Sequence, residues 1–147
     1  MSTQLSLKLD NMPQLREQFR GAFVGAAVGD ALGFITEFMR SPDVLRDELG
    51  VEKLTRLIPW ERRTRYEGKY LIKLPLSTGT YSDDTQLTLA TARAIKSDGA
   101  FDIVSFSKIE LPLWLHYQLG GGTGTLIASR ELGKKGMAWH TNFYETQ

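Results

Sequence analysis

The chain has 147 residues, of which 41% are hydrophobic and 24% charged, enough for one cooperative core and one expected domain over residues 1–147. Eighteen Lys and Arg against 17 Asp and Glu leave a net charge of +1, so phosphate neutralisation does not dominate its binding and nucleic acid is not the expected partner. The absence of cysteine excludes disulfides, thiolate metal sites and cysteine nucleophiles and fits a reducing cytoplasm. With only His116 and His140 as imidazole donors, a metal site would be rich in oxygen and suited to a hard cation such as Mg²⁺.

Residues Met1 to Gln14 lack the charged-then-apolar order of a signal peptide and read as a flexible start. From Leu15 to Phe38 the apolar residues Leu15, Phe19, Phe23, Ala27, Ala31, Phe34 and Phe38 recur at helical steps, which predicts one long helix ending before Pro42. Its small and apolar run from Gly21 stops at Asp30, far short of the ~20 residues of a bilayer span, so a soluble protein with no membrane partner is expected. Gly21, Gly25, Gly29 and Gly33 repeat every fourth residue along it, at about 1 kcal/mol each relative to Ala. That cost implies a close approach, by a packed helix or by a ligand.

Ser41 to Gly50 predicts a short capped helix. Val51 to Lys73 is basic and irregular, with Arg56, Arg62, Arg63, Arg65 and Lys69, and reads as a loop-rich insertion whose arginines form a solvated charged face or, less expectedly, meet an anionic ligand such as a pyrophosphate. Tyr70 to Leu76 alternates like a strand but has no evident partner run. A second helix starts at Ser82 or Asp83, with the Asp83 to Gln86 spacing of a capping box. A third runs from Asp102 towards Leu119 and is kinked or divided at Pro112. The glycines from Gly120 to Gly124 then read as a turn before a short helix, Leu126 to Leu132, capped by Thr125. Trp139, His140, Phe143 and Tyr144 follow without a closing element.

Two groups of residues carry chemistry. Asp30 and Glu37 lie about two helical turns apart on nearly one side of the first helix, beside the glycine stripe. Carboxylates there are costly to bury unless they are paired, protonated, cation-bound or used as caps. Ser82, Asp83 and Asp84 place a hydroxyl and two carboxylates at a helix start, where they serve either as caps or as ligands of a cation that relieves their repulsion. The Gly120 to Thr125 run lacks the Lys-Ser/Thr pair of a phosphate-binding P-loop and is not read as a nucleotide triphosphate site.

Arg20-Gly21-Ala22 through Gly29-Asp30-Ala31-Leu32-Gly33 to Glu37, followed by Tyr81-Ser82-Asp83-Asp84-Thr85-Gln86, resembles the N-terminal half of the ADP-ribosylglycohydrolase family. Phe101-Asp102, Trp114 and the Gly120 to Thr125 turn follow the same course. The resemblance implies an all-α helical bundle and hydrolysis of the glycosidic bond between ADP-ribose and a protein side chain or a related small compound. It also implies a centre of two Mg²⁺ or Mn²⁺ ions. It assigns Ser82, Asp83 and Asp84 to metal, with Ser82 where threonine is more usual, Glu37 and Asp83 to catalysis, and Asp30, Gly121 and Gly122 to substrate. Family members are longer and carry a second aspartate-rich segment that this sequence lacks. The expectation is therefore a half-site that is inactive alone, or a non-catalytic module of the same scaffold. Either form would associate with itself or with a complementary chain through exposed Phe19, Phe23, Leu113 and Trp114.

Overall fold

The protein is described by a computed structural model over residues 12–37, 39, 41–66 and 70–141. The expected flexible start falls largely outside these residues, as do Phe38, Lys69, Phe143 and Tyr144. Helix α1 spans Met12–Thr36 and α2 spans Pro42–Leu49, closed by Gly50 in the left-handed region at φ 67° with its N–H donating to the Arg46 carbonyl. Strands β1, Trp60–Tyr66, and β2, Tyr70–Leu76, pair antiparallel. Helix α3 follows over Asp83–Arg93, then the single turn α4, Ile103–Ser105, a π-helical turn at Phe106–Glu110, α5 at Leu111–Trp114, α6 at Thr123–Gly133 and a 3₁₀ turn at Trp139–Thr141.

The architecture is mostly helical with one small hairpin, and that hairpin replaces the expected loop insertion. Trp60 pairs with Leu76 and Arg62 with Leu74, so these four residues share one face of the ribbon. The opposite face carries Glu61, Arg63 and Lys73, where Arg63 stands across from Lys73. Arg63 pairs instead with Glu48 of α2 at 3.3 Å, and Lys73 with Glu61 at 3.1 Å.

Two apolar clusters hold the chain together. Ala90 of α3 and its C-cap residue Ala94 are buried, as are Leu111 and Trp114 of α5 and Leu132 of α6, and Trp114 is 0% exposed. Its place in the core overturns the expectation that Trp114 lies on an open apolar stripe. In the same region the buried Glu110 carboxylate accepts from Arg93 Nε at 2.8 Å. The second lies at the end of α1, where Ala31, Phe34 and Ile35 are buried and the Phe34 and Trp60 rings meet edge to face at 5.3 Å; Leu45 of α2 and Leu76 of β2 are buried as well.

Several local expectations resolve differently. Asp102 caps α4 through bonds from the Val104 and Ser105 N–H groups, as a helix start there requires. A regular helix would drive the Pro112 ring into the carbonyl of Lys108; the π turn just before it, in which the Leu111 N–H reaches the Phe106 carbonyl, widens the backbone there. The last helix begins three residues earlier than Leu126 and is capped by Gly122, with Thr125 inside it.

Helix α1 extends beyond the run that stops at Asp30 and is long and apolar enough, by length and composition, to cross a membrane, which corrects the shorter count. Phe19, Phe23, Val24 and Val28 are exposed along it, and a Cβ built on Gly21, Gly25, Gly29 or Gly33 meets nothing within 4 Å. The glycine stripe is thus not filled by any described residue.

Candidate active site: an acidic cleft between α1, α3 and the hairpin

The site is organised by the Asp30 carboxylate. It accepts four hydrogen bonds from the start of α3: from Ser82 Oγ at 2.6 Å, Ser82 N–H at 3.0 Å, Thr85 N–H at 3.0 Å and Thr85 Oγ1 at 2.5 Å. The first turn of a helix leaves N–H groups without intrahelical partners and carries a partial positive charge, so a carboxylate from another element satisfies both needs. Ser82 and Thr85 are buried beneath it.

Ser82 is the N-cap of α3, in extended backbone, and its Oγ also accepts from the Asp84 N–H at 3.1 Å. The expected capping box does not form. Gln86 turns inward, and its Oε1 accepts from Trp114 Nε1 at 3.0 Å and from the Leu119 N–H at 3.2 Å. A buried indole N–H requires an acceptor, and Gln86 provides one while tying the glycine run to α3.

With Ser82 and Thr85 held by Asp30, the first-turn carboxylates of Asp83 and Asp84 sit at the mouth of the cleft. Partial burial raises the pKa of Asp83 above the usual value; the neighbouring Asp84 and Asp30 charges raise it further, against lowering by its own backbone N–H and by Arg62. Glu37, just past the end of α1, is also raised, first by burial and then by Asp83, Asp84 and Asp30, against the lowering effect of Arg62. Four carboxylates from two stretches of chain therefore share one field.

The cation facing them comes from β1. Arg62 pairs with Glu37 at 3.7 Å, its side chain is 14% exposed, and its guanidinium lies 4.4 Å from the centre of the Phe34 ring. This corrects the reading of the basic stretch as a solvated face, at least for Arg62. Gly120 closes the arrangement: a Cβ there would stand 2.7 Å from Asp83 Oδ1 and 3.2 Å from Phe34 Cε2, and its φ is +98°. The glycine run is thus a wall of the cleft, not only an interhelical turn. Of the two residues assigned to substrate there, Gly121 lies against Trp114 and donates its N–H to Gln118 Oε1, while Gly122 caps α6.

A family model for ADP-ribosylglycohydrolase matches residues 11–144 of the chain, a range that contains every residue of this cleft. The chain belongs to the ADP-ribosylglycohydrolase family. Among curated proteins and among solved structures, none matches it.

The donor set bears on the metal that the family implies. Asp83 and Asp84 offer two oxygen ligands, and the Ser82 hydroxyl, which donates to Asp30 and accepts from the Asp84 N–H, retains one lone pair. Hydroxyl and carboxylate oxygens suit Mg²⁺ or Mn²⁺. Among the described residues there is no group of three or more His, Cys, Asp or Glu side chains arranged to hold a metal ion.

Proposed function

We propose that the cleft serves hydrolysis of the glycosidic bond joining ADP-ribose to a modified protein side chain or a related ADP-ribosylated compound. The observation that carries this reading is the set of four hydrogen bonds from Ser82 and Thr85 to Asp30, which brings Asp83 and Asp84 into one acidic cleft with Glu37. Ser82, Asp83 and Asp84 would hold Mg²⁺ or Mn²⁺, and a bound divalent ion of this kind acidifies water and polarises sugar hydroxyls.

The chain's own groups divide the remaining work. Asp30 fixes the start of α3 and so orients both first-turn carboxylates. Glu37 retains its proton to higher pH than an ordinary glutamate, which suits a group that gives a proton to a leaving atom or takes one from water beside an oxocarbenium-like centre. Gly120, by lacking a side chain, leaves the Asp83 carboxylate its place.

Two carboxylates and a hydroxyl fill about half of an octahedral shell, so the full metal centre draws its remaining ligands from water or from beyond the described residues. The exposed Phe19, Phe23 and Val24 of α1 support association with a complementary chain or with a second copy. The experiment is release of ADP-ribose from an ADP-ribosylated protein, together with Mg²⁺-dependent binding of ADP-ribose to the chain. Binding that needs Mg²⁺ and is lost in Asp83→Ala is expected, with turnover slow or absent for the chain alone. Turnover that persists in chelator, or in Asp83→Ala, would reject this reading.

A further inference from the structure

The hairpin delivers one charged side chain inward, and its surroundings give that side chain a task. Trp60 and Arg62 are two residues apart on β1, so both point to the same face, and both pack on Phe34: the Trp60 ring edge-on at 5.3 Å and the Arg62 guanidinium at 4.4 Å. Phe34 itself is 3% exposed, so the platform under the guanidinium is fixed. From that platform Arg62 reaches Glu37 at 3.7 Å, and its Nη1 lies 3.5 Å from where a Gly120 Cβ would be.

The geometry points to Arg62 as a positioning residue of the ADP-ribosylglycohydrolase cleft, which holds the Glu37 carboxylate at the mouth of the site from a platform formed by Phe34 and Trp60. The inference deepens the function proposed above and rests on it. Glu37 follows the end of α1, and its side chain is 42% exposed. Three like charges face it: Asp30 from α1, and Asp83 and Asp84 from the first turn of α3; Arg62 from β1 faces it with the opposite sign. Without Arg62 no opposite charge among these offsets the repulsion, and the ionised Glu37 carboxylate is disfavoured where it stands. A planar guanidinium stacked on a ring has little freedom of its own, so it fixes its partner better than a lysine ammonium does.

The test is a carbon-detected NMR pH titration of the Glu37 carboxyl in the metal-free, substrate-free full chain, for wild type, Arg62→Gln and Arg62→Lys. The midpoint is expected to move upward in Arg62→Gln and to return most of the way in Arg62→Lys. A folded Arg62→Gln with an unchanged Glu37 midpoint would overturn the proposal. Should Arg62→Gln not fold, Glu37→Gln in the wild-type background decides the matter. The Arg62 Nε–H signal is expected to shift and its exchange with water to quicken, and an unaffected Arg62 signal would overturn the proposal. Neither measurement involves metal or ADP-ribose, so a failure of Mg²⁺-dependent ADP-ribose binding counts against the functional reading alone.

Discussion

Ser82 Oγ donates to Asp30 Oδ1 at 2.6 Å across 52 residues of sequence, and this one contact joins the long first helix to the N-cap of α3. Because the same carboxylate also receives Thr85, the docking of α1 and the orientation of Asp83 and Asp84 are a single structural event. A change at Asp30 therefore affects stability and ligand binding together.

Asp30→Ala removes the acceptor from four donors and leaves the buried N–H groups of Ser82 and Thr85 without a partner. The expected loss is about 2–3 kcal/mol, from unsatisfied buried donors and a lost carboxylate at a helix start. The midpoint of urea unfolding measures it. A loss below about 0.5 kcal/mol would mean that α1 docks without this carboxylate.

Gly120→Ala meets two separate obstacles. Its φ of +98° disfavours any L side chain, and its Cβ would overlap Asp83 Oδ1. Destabilisation of about 1–2 kcal/mol is expected from the backbone alone. Mg²⁺ affinity is expected to fall as well, because Asp83 has to move. Calorimetric titration of the folded variant with Mg²⁺ separates the two effects.

The charged cleft also sets a pH dependence. Glu37 and Asp83 have raised pKa values in the folded chain, so their favourable contribution is full below the unfolded carboxylate range and is lost as pH rises through the raised values. Asp83→Asn is accordingly expected to raise Tm at pH 7 and to leave it unchanged near pH 3. Asp102 has the opposite sign. Its pKa is lowered, first by the Ser105 N–H and then by Lys96, so its contribution is present above the unfolded value and is lost as pH falls through the lowered one. Asp102→Asn is expected to lower Tm at pH 7. Thermal unfolding of both variants across pH checks the two signs.

Much of this was legible in the sequence, and the parts that were not share a cause. The apolar steps of α1, the Ser41 to Gly50 helix and the helix start at Asp102 are local patterns, and each appears close to where its spacing places it. Strand β2 falls on the Tyr70 to Leu76 run read as a strand, but its partner β1 was hidden because its inward residues include Arg62 beside Trp60, and an inward arginine breaks the apolar alternation that marks a strand. Arg62 owes its burial to Phe34 and Glu37, more than twenty residues upstream, and no local pattern carries that. Gln86 likewise matched a capping box in spacing, yet the buried Trp114 indole took it as an acceptor. Asp30 was readable as a carboxylate in need of a partner, while the partner itself came only with the packing of α3.

The proposed function requires Asp83, Asp84 and Ser82 to form a cation site facing Glu37, and Mn²⁺-induced broadening of backbone amide NMR signals tests it most directly. Weak binding, about millimolar, is expected from so few protein ligands. Broadening should be strongest at residues 82–84, extend to Glu37 and Gly120, and vanish in Asp83→Ala. Broadening centred elsewhere on the chain, or none at several millimolar Mn²⁺, would contradict the account.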